Sequence, residues 1–163
     1  MRFGFSIVGL VFLLMLFIPN IKWAKSQPPG YEELSKHENR TLLMLERIGE
    51  VACSCAAVVF VCPQGTAFPW ILWLCAAFLL MVLYEIAWAR YFRDGREPID
   101  MYRPLVCRPL GSIPVPLASL PVAAFFLLGI WYQSPIAVVA AVVLGIGHIG
   151  IHLDHLRELS QKA

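Results

Sequence analysis

Three of the four histidines, His148, His152 and His155, lie in one apolar run, "GIGHIGIHLDHL". Spacings of four and three put them on one face of a helix. Two more ionisable groups have equally apolar surroundings: Glu46, Arg47 and Glu50 in "MLERIGEVA", and Glu85 in "LYEIAWARY", where Arg90 follows. Carboxylates and imidazoles inside a membrane relay protons, because burial raises a Glu pKa and His titrates near neutrality. With Arg47 or Arg90 at the rim, a water-filled pocket of this kind would hold the head of a small molecule or lipid. A second reading is a metal-dependent membrane enzyme, since His148 and His152 have the i, i+4 spacing of zinc or iron ligands. The Glu-x-x-His motif of helical di-metal centres is absent. A third reading is structural. Arg47 would pair with Glu50 along one helix, Glu46 or Glu85 with Arg90 or Arg40, and the histidines with carbonyls at a helix end. That describes an accessory or immunity-type protein without a catalytic site. No P-loop, Rossmann glycine pattern, G-x-S-x-G or H-E-x-x-H occurs, so the cofactor stays unknown.

The elements that position these residues are membrane spans. Of 163 residues, 59% are hydrophobic and only 15% charged, against about 45–50% and about 25% in soluble domains. The net charge of +2 is too small to imply nucleic acid. Five stretches reach the roughly 17–25 apolar residues a spanning helix needs: 3–19, 42–61, 68–88, 113–131 and 136–153. The expected fold is therefore an all-α integral membrane protein, one membrane domain over 1–163. The short turns "CPQGTAF" and "YQSP" make two helical hairpins. Lys and Arg concentrate in 20–41 (Lys22, Lys25, Lys36, Arg40), 89–112 (Arg90, Arg93, Arg96, Arg103, Arg108) and 154–163 (Arg157, Lys162). These segments are cytoplasmic by the positive-inside rule, with the N-terminus outside and the C-terminus inside. A cleaved signal peptide is the alternative for the first span. Asn39-Arg-Thr41 matches a glycosylation sequon on the wrong side of this topology.

At about 1.5 Å per residue, depths counted from the outer turns place Glu50 roughly level with His148. Glu46, Glu85 and His152 share a deeper level, and His155 lies at the water's edge. Glu46, Glu50, Cys53 and Ala57 form one stripe, and Ala141, Gly145, His148, His152 and His155 another. Small residues on such stripes let helices approach in lipid. The spacing of Ser35 and Glu38 predicts a capping box before the second span. Pro114, Pro116 and Pro121 predict an irregular start to the fourth. The five cysteines, Cys53, Cys55, Cys62, Cys75 and Cys107, are odd in number and lack C-x-x-C, so a disulfide framework is not expected. Five tryptophans near span ends read as interfacial anchors, and the arginine-rich loop as a surface for anionic lipid headgroups. A membrane-protein partner or a homo-oligomer is also compatible with the small-residue faces.

"FIPNIKWAKSQPPGYEELSKHENRTLLMLERIGEV", "LLMVLYEIAWARYFR" and "LGIGHIGIHLDHL" resemble an uncharacterised family of small bacterial, Firmicutes-type, multi-pass membrane proteins. The resemblance covers most of the chain and implies the bacterial cytoplasmic membrane, but no activity. Five-span isoprenylcysteine methyltransferases differ: "YRPLVCRPLG" does not match their Arg-His-Pro stretch.

Overall fold

The computed structural model describes residues 2–36, 38–107 and 111–162, without the side chains of Cys107 and Lys162. Arg108, counted above among the basic residues, lies outside the described residues. The long helices are α1 (Ile7–Ala24), α3 (Arg40–Val59), α4 (Ile71–Arg93), α5 (Pro116–Trp131) and α6 (Pro135–Lys162). A short α2 (Tyr31–Ser35) and a 3-10 turn (Pro98–Met101) lie in the loops. β1 (Arg2–Phe3) pairs antiparallel with β2 (Phe60–Val61), and β3 (Leu105–Cys107) with β4 (Gly111–Ile113).

Three helices, α1, α4 and α6, are long and apolar enough to cross a membrane. α5 is apolar but has only 16 residues. α3 has 20 residues and carries Arg40, Glu46, Arg47 and Glu50. The chain is thus mostly helical with three candidate spans among the described residues.

Local chemistry explains the boundaries. Ser6 Oγ caps α1 by accepting from Gly9 N. The helix then runs past Pro19, where the first span was expected to stop. The capping box is not formed by Ser35 and Glu38. Ser35 Oγ donates to Glu32 O, and Asn39 caps α3 by accepting from Thr41 N and Leu42 N. A side-chain oxygen one residue before the helix satisfies the free N–H groups directly. The irregularity expected in the fourth span ends earlier, in the β3–β4 hairpin and at Val115 (φ 38°). Pro116 then opens a helix that also contains Pro121. Proline suits the first turn because its missing N–H would have no partner there.

The two ends of the bundle are tied differently. At one end Tyr132 hydroxyl meets both Ser6 Oγ (2.8 Å) and Ala57 O (2.9 Å), and Trp70 Nε1 donates to Trp131 O. At the other, the loops around Tyr31 and Tyr102 fold against α6. The densest packing is between α3 and α6, where glycines bring backbones together. A side chain at Gly49 would overlap the Leu144 backbone, and one at Gly147 would overlap Glu46 N. These contacts lie beside the stripes expected above, because Gly145 faces Val122 of α5 instead.

Candidate functional site

Gly147 against the Glu46 backbone fixes the register of α6 on α3. His148, one residue on, meets Glu46, with Nδ1 2.5 Å from Oε1. Both side chains are largely covered, 26% and 14% exposed. A charge-assisted pair of this length holds a proton between two helices. The expected depth match therefore slips by one turn: His148 meets Glu46, not Glu50. Glu50 accepts from Arg47 Nη1 (3.0 Å) along α3.

The histidine row continues away from this pair. The His152 ring centroid is 4.5 Å from that of His148, and its Nδ1 is buried with no hydrogen-bond partner among the described residues. His155 was expected at the water's edge, but it is only 2% exposed. The loops cover it. Tyr102 hydroxyl lies 2.9 Å from His155 Nδ1, and the Tyr31 ring meets it edge-on. Glu38 Oε1 is 3.3 Å from His155 Nε2, close enough for an ion pair but out of hydrogen-bond alignment. Outside the spans, burial pushes the Tyr31 hydroxyl up to about 12, with Glu38 and Glu46 adding to it. Burial also raises Tyr102. Glu38 is raised by burial and by Glu46, with Arg47 opposing.

The Glu46–His148 pair borders a cavity of two chambers between α1, α3, α4, α5 and α6. The first has a volume of about 310 Å³ and apolar walls from Leu16, Phe17, Phe125 and Leu144, with Glu50 and Tyr84 among them. The second, about 170 Å³, is lined by Tyr31, Glu46, Trp88, Met101 and His152. Asn20, Trp23, Arg47, Leu117 and His148 line both. Asn20 Nδ2 donates to Leu16 O and to the Tyr84 hydroxyl, both at 2.7 Å, which holds the amide against α4.

No family model, curated protein or solved structure matches this chain.

Of the residues singled out by sequence, Glu46, Arg47, Glu50, His148 and His152 line this one cavity. Glu85 and Arg90 line neither chamber. α4 turns Tyr84 and Trp88 to the interior, and Glu85, one residue round from Tyr84, is only half-buried. Arg90 instead donates to Pro104 O (2.8 Å) and to Arg103 O, pinning the loop that carries Tyr102. Among the described residues no three His, Cys, Asp or Glu side chains are grouped as a metal site. His148 Nδ1 is engaged by Glu46, and the His152 ring packs against Tyr102. Cys53, Cys55, Cys62 and Cys75 are free thiols.

Sequence reasoning missed Asn20, Trp23, Tyr31, Glu38 and Tyr102. Asn20 had a signal, a lone amide in the apolar "FIPNIKW". The loop residues had none, since only the folding back of the loops brings them to His155.

Proposed function

We propose that this chain is a bacterial cytoplasmic-membrane protein of five spans, N-terminus outside, that binds or moves a small molecule or lipid headgroup, with proton exchange at a Glu/His pocket. The observation that carries the reading is the Glu46–His148 pair on the wall of the two-chamber cavity. Glu46 and His148 come from helices pressed backbone to backbone, so the pair is held in place before any ligand arrives. Pre-positioned groups lose little entropy on binding. A ligand that competes for either group changes the proton's affinity, and by linkage protonation changes the ligand's affinity. Five spans are supported by α3 turning Glu46 inward, and by the basic loops gathering at the end where Tyr31 and Tyr102 meet α6. In this topology those arginines face anionic headgroups of the inner leaflet.

Native mass spectrometry of the full chain released from its own membranes tests the pocket. One non-covalent adduct per chain is expected, its occupancy differing between pH 5.5 and 7.5. Leu117→Phe, which narrows both chambers, should remove it. Glu46→Gln should remove the pH difference. A bare wild-type chain at both pH values would end this reading.

A further inference from the structure

We propose that a second copy of this chain docks on the outer seam of α1 and α4, with Glu85 of each copy paired to Lys22 of the other. This surface is separate from the cavity, since neither residue lines either chamber.

α4 carries two stripes at helix–helix spacing. Ala77, Met81, Tyr84, Trp88 and Tyr91 are buried and form the first. Cys75, Phe78, Val82, Glu85 and Ala89 recur at three, four, three and four residues and form the second. That is the 3.5-residue repeat of helices packed on one another. Within one chain the second stripe is left open: four of its residues are exposed, and Glu85 is half-buried. Cys75 and Ala89 are small enough to let another helix close on it. The outer face of α1 continues this surface with exposed Val11, Ile18 and Lys22. Between the two helices runs a wholly apolar groove of about 370 Å³, walled by Val11, Phe12, Cys75 and Phe78 among others.

Glu85 says what covers the surface. It lies eight residues, about 12 Å, inside the Arg93 end of α4. Among the described residues it has no hydrogen bond or ion pair. An ionisable group inside a span is costly unless it finds a partner. Lys22 has no carboxylate either; its Nζ rests over the Phe92 ring, 4.2 Å from the centroid. Phe92 is two turns beyond Glu85, so the two charges do not meet within one chain. Their depths nevertheless match. α1 and α4 run in the same direction, and the Phe12–Phe78 ring contact and the Asn20–Tyr84 hydrogen bond set their register. By that register Lys22 comes opposite residues 86–88, within about 5 Å of Glu85 in depth. A two-fold axis along the membrane normal brings equal depths together, and residue i then meets j as j meets i. One operation therefore forms both Glu85–Lys22 pairs. The surface is complementary to itself in charge, which favours a second copy over lipid or an unrelated helix.

Oxidation of the full chain by copper phenanthroline in its own membranes tests this. Cys75 lies on the proposed face, whereas the other exposed thiol among the described residues, Cys55, lies on α3. A disulfide-linked dimer is expected, lost in Cys75→Ser and kept in Cys55→Ser. Lys22→Glu and Glu85→Lys should each lower the linked fraction at least fivefold. Co-expressing the two variants under different tags should restore it in the mixed dimer, where each Glu meets a Lys across the interface. A pair formed inside one chain is not repaired by mixing, so failure to restore overturns the proposal. A dimer linked only through another cysteine also overturns it. So does a wild-type chain that is monomeric by both cross-linking and native mass spectrometry, whatever the charge variants do. The adduct that tests the pocket is read separately, so either result can fail without the other.

Discussion

Gly147→Ala should separate α3 from α6 and open the Glu46–His148 pair. The new methyl would overlap Glu46 N and lie 2.6 Å from Leu42 O and 2.8 Å from Glu46 Cα. These are backbone atoms and cannot rotate away. Ordinary contact begins near 3.5 Å, so the helices must part by about 1 Å. The 2.5 Å link to His148 would stretch to about 3.5 Å, the limit of a hydrogen bond. Overpacking of this kind costs about 1–3 kcal/mol. Alanine returns about 1 kcal/mol through its helix propensity; because all three contacts are with backbone, the strain falls at the upper end, leaving a net loss of about 2 kcal/mol. Gly145→Ala is the control on the same helix. Its methyl meets only a side-chain atom, Val122 Cγ1, at 2.9 Å. Strain and propensity there roughly cancel, to within about 0.5 kcal/mol. Unfolding of the two variants in one detergent gives the comparison, and 15N histidine spectra report on His148. If Gly147→Ala is as stable as Gly145→Ala, with an unchanged His148 signal, the close approach assigned to α3 and α6 is wrong.

Tyr102→Phe removes the hydroxyl partner of buried His155 Nδ1 and should cost about 1–3 kcal/mol, seen as a lower midpoint in denaturant; an unchanged midpoint would mean that the loop does not seal α6. Tyr132→Phe loses both the Ser6 and Ala57 links and should destabilise by a similar amount, with faster proteolysis of the N-terminal segment as the measure. Glu38 has a folded-state pKa above the ordinary 4.5 because of burial beside Glu46. Its ionisation therefore opposes folding: the associated stability is complete below pH 4.5 and is lost as pH rises through the folded value. Glu38→Gln should flatten that decline in a Tm-against-pH series, and parallel curves for variant and wild type would contradict the assignment.

The pairing of α3 with α6 was legible in sequence, because polar and small residues recur on one stripe of each. The register was not. Depths were counted from Val61 and Ile136, whereas α3 ends at Val59 and α6 begins at Pro135. From those ends Glu46 and His148 are each thirteen residues deep, which is the pairing observed. The two end errors add to three residues, about 4.5 Å, which moved the match by most of a turn. The covering of His155 was illegible for a different reason. Hydropathy reads each segment separately, while the cover comes from α2 and the loop pinned by Arg90, both distant in sequence. Glu85 failed because face assignment rests on a rotation of about 100° per residue. The apolar neighbours of Glu85 gave no means to tell which side of α4 was inward.

α3 also shows why a length-and-hydropathy criterion passes over a helix that the proposed topology places in the membrane. Its polar residues lower its average, but Glu46 among them lies toward the interior, against α6, and Arg47 and Glu50 pair with each other at the cavity's rim. Its outer face is Met44, Ile48, Val51, Cys55 and Val59, all exposed, at spacings of four, three, four and four. That is one continuous apolar stripe. Water would leave this arrangement doubly unfavourable, with ionisable groups buried and hydrocarbon exposed. Lipid reverses the second cost, and the Glu46–His148 pairing offsets the first. α1 has the same character, exposing Ile7, Leu10, Leu14, Phe17, Ile18 and Ile21. α1 and α3, which both line the cavity, are thus apolar toward the outside, as helices in contact with lipid are.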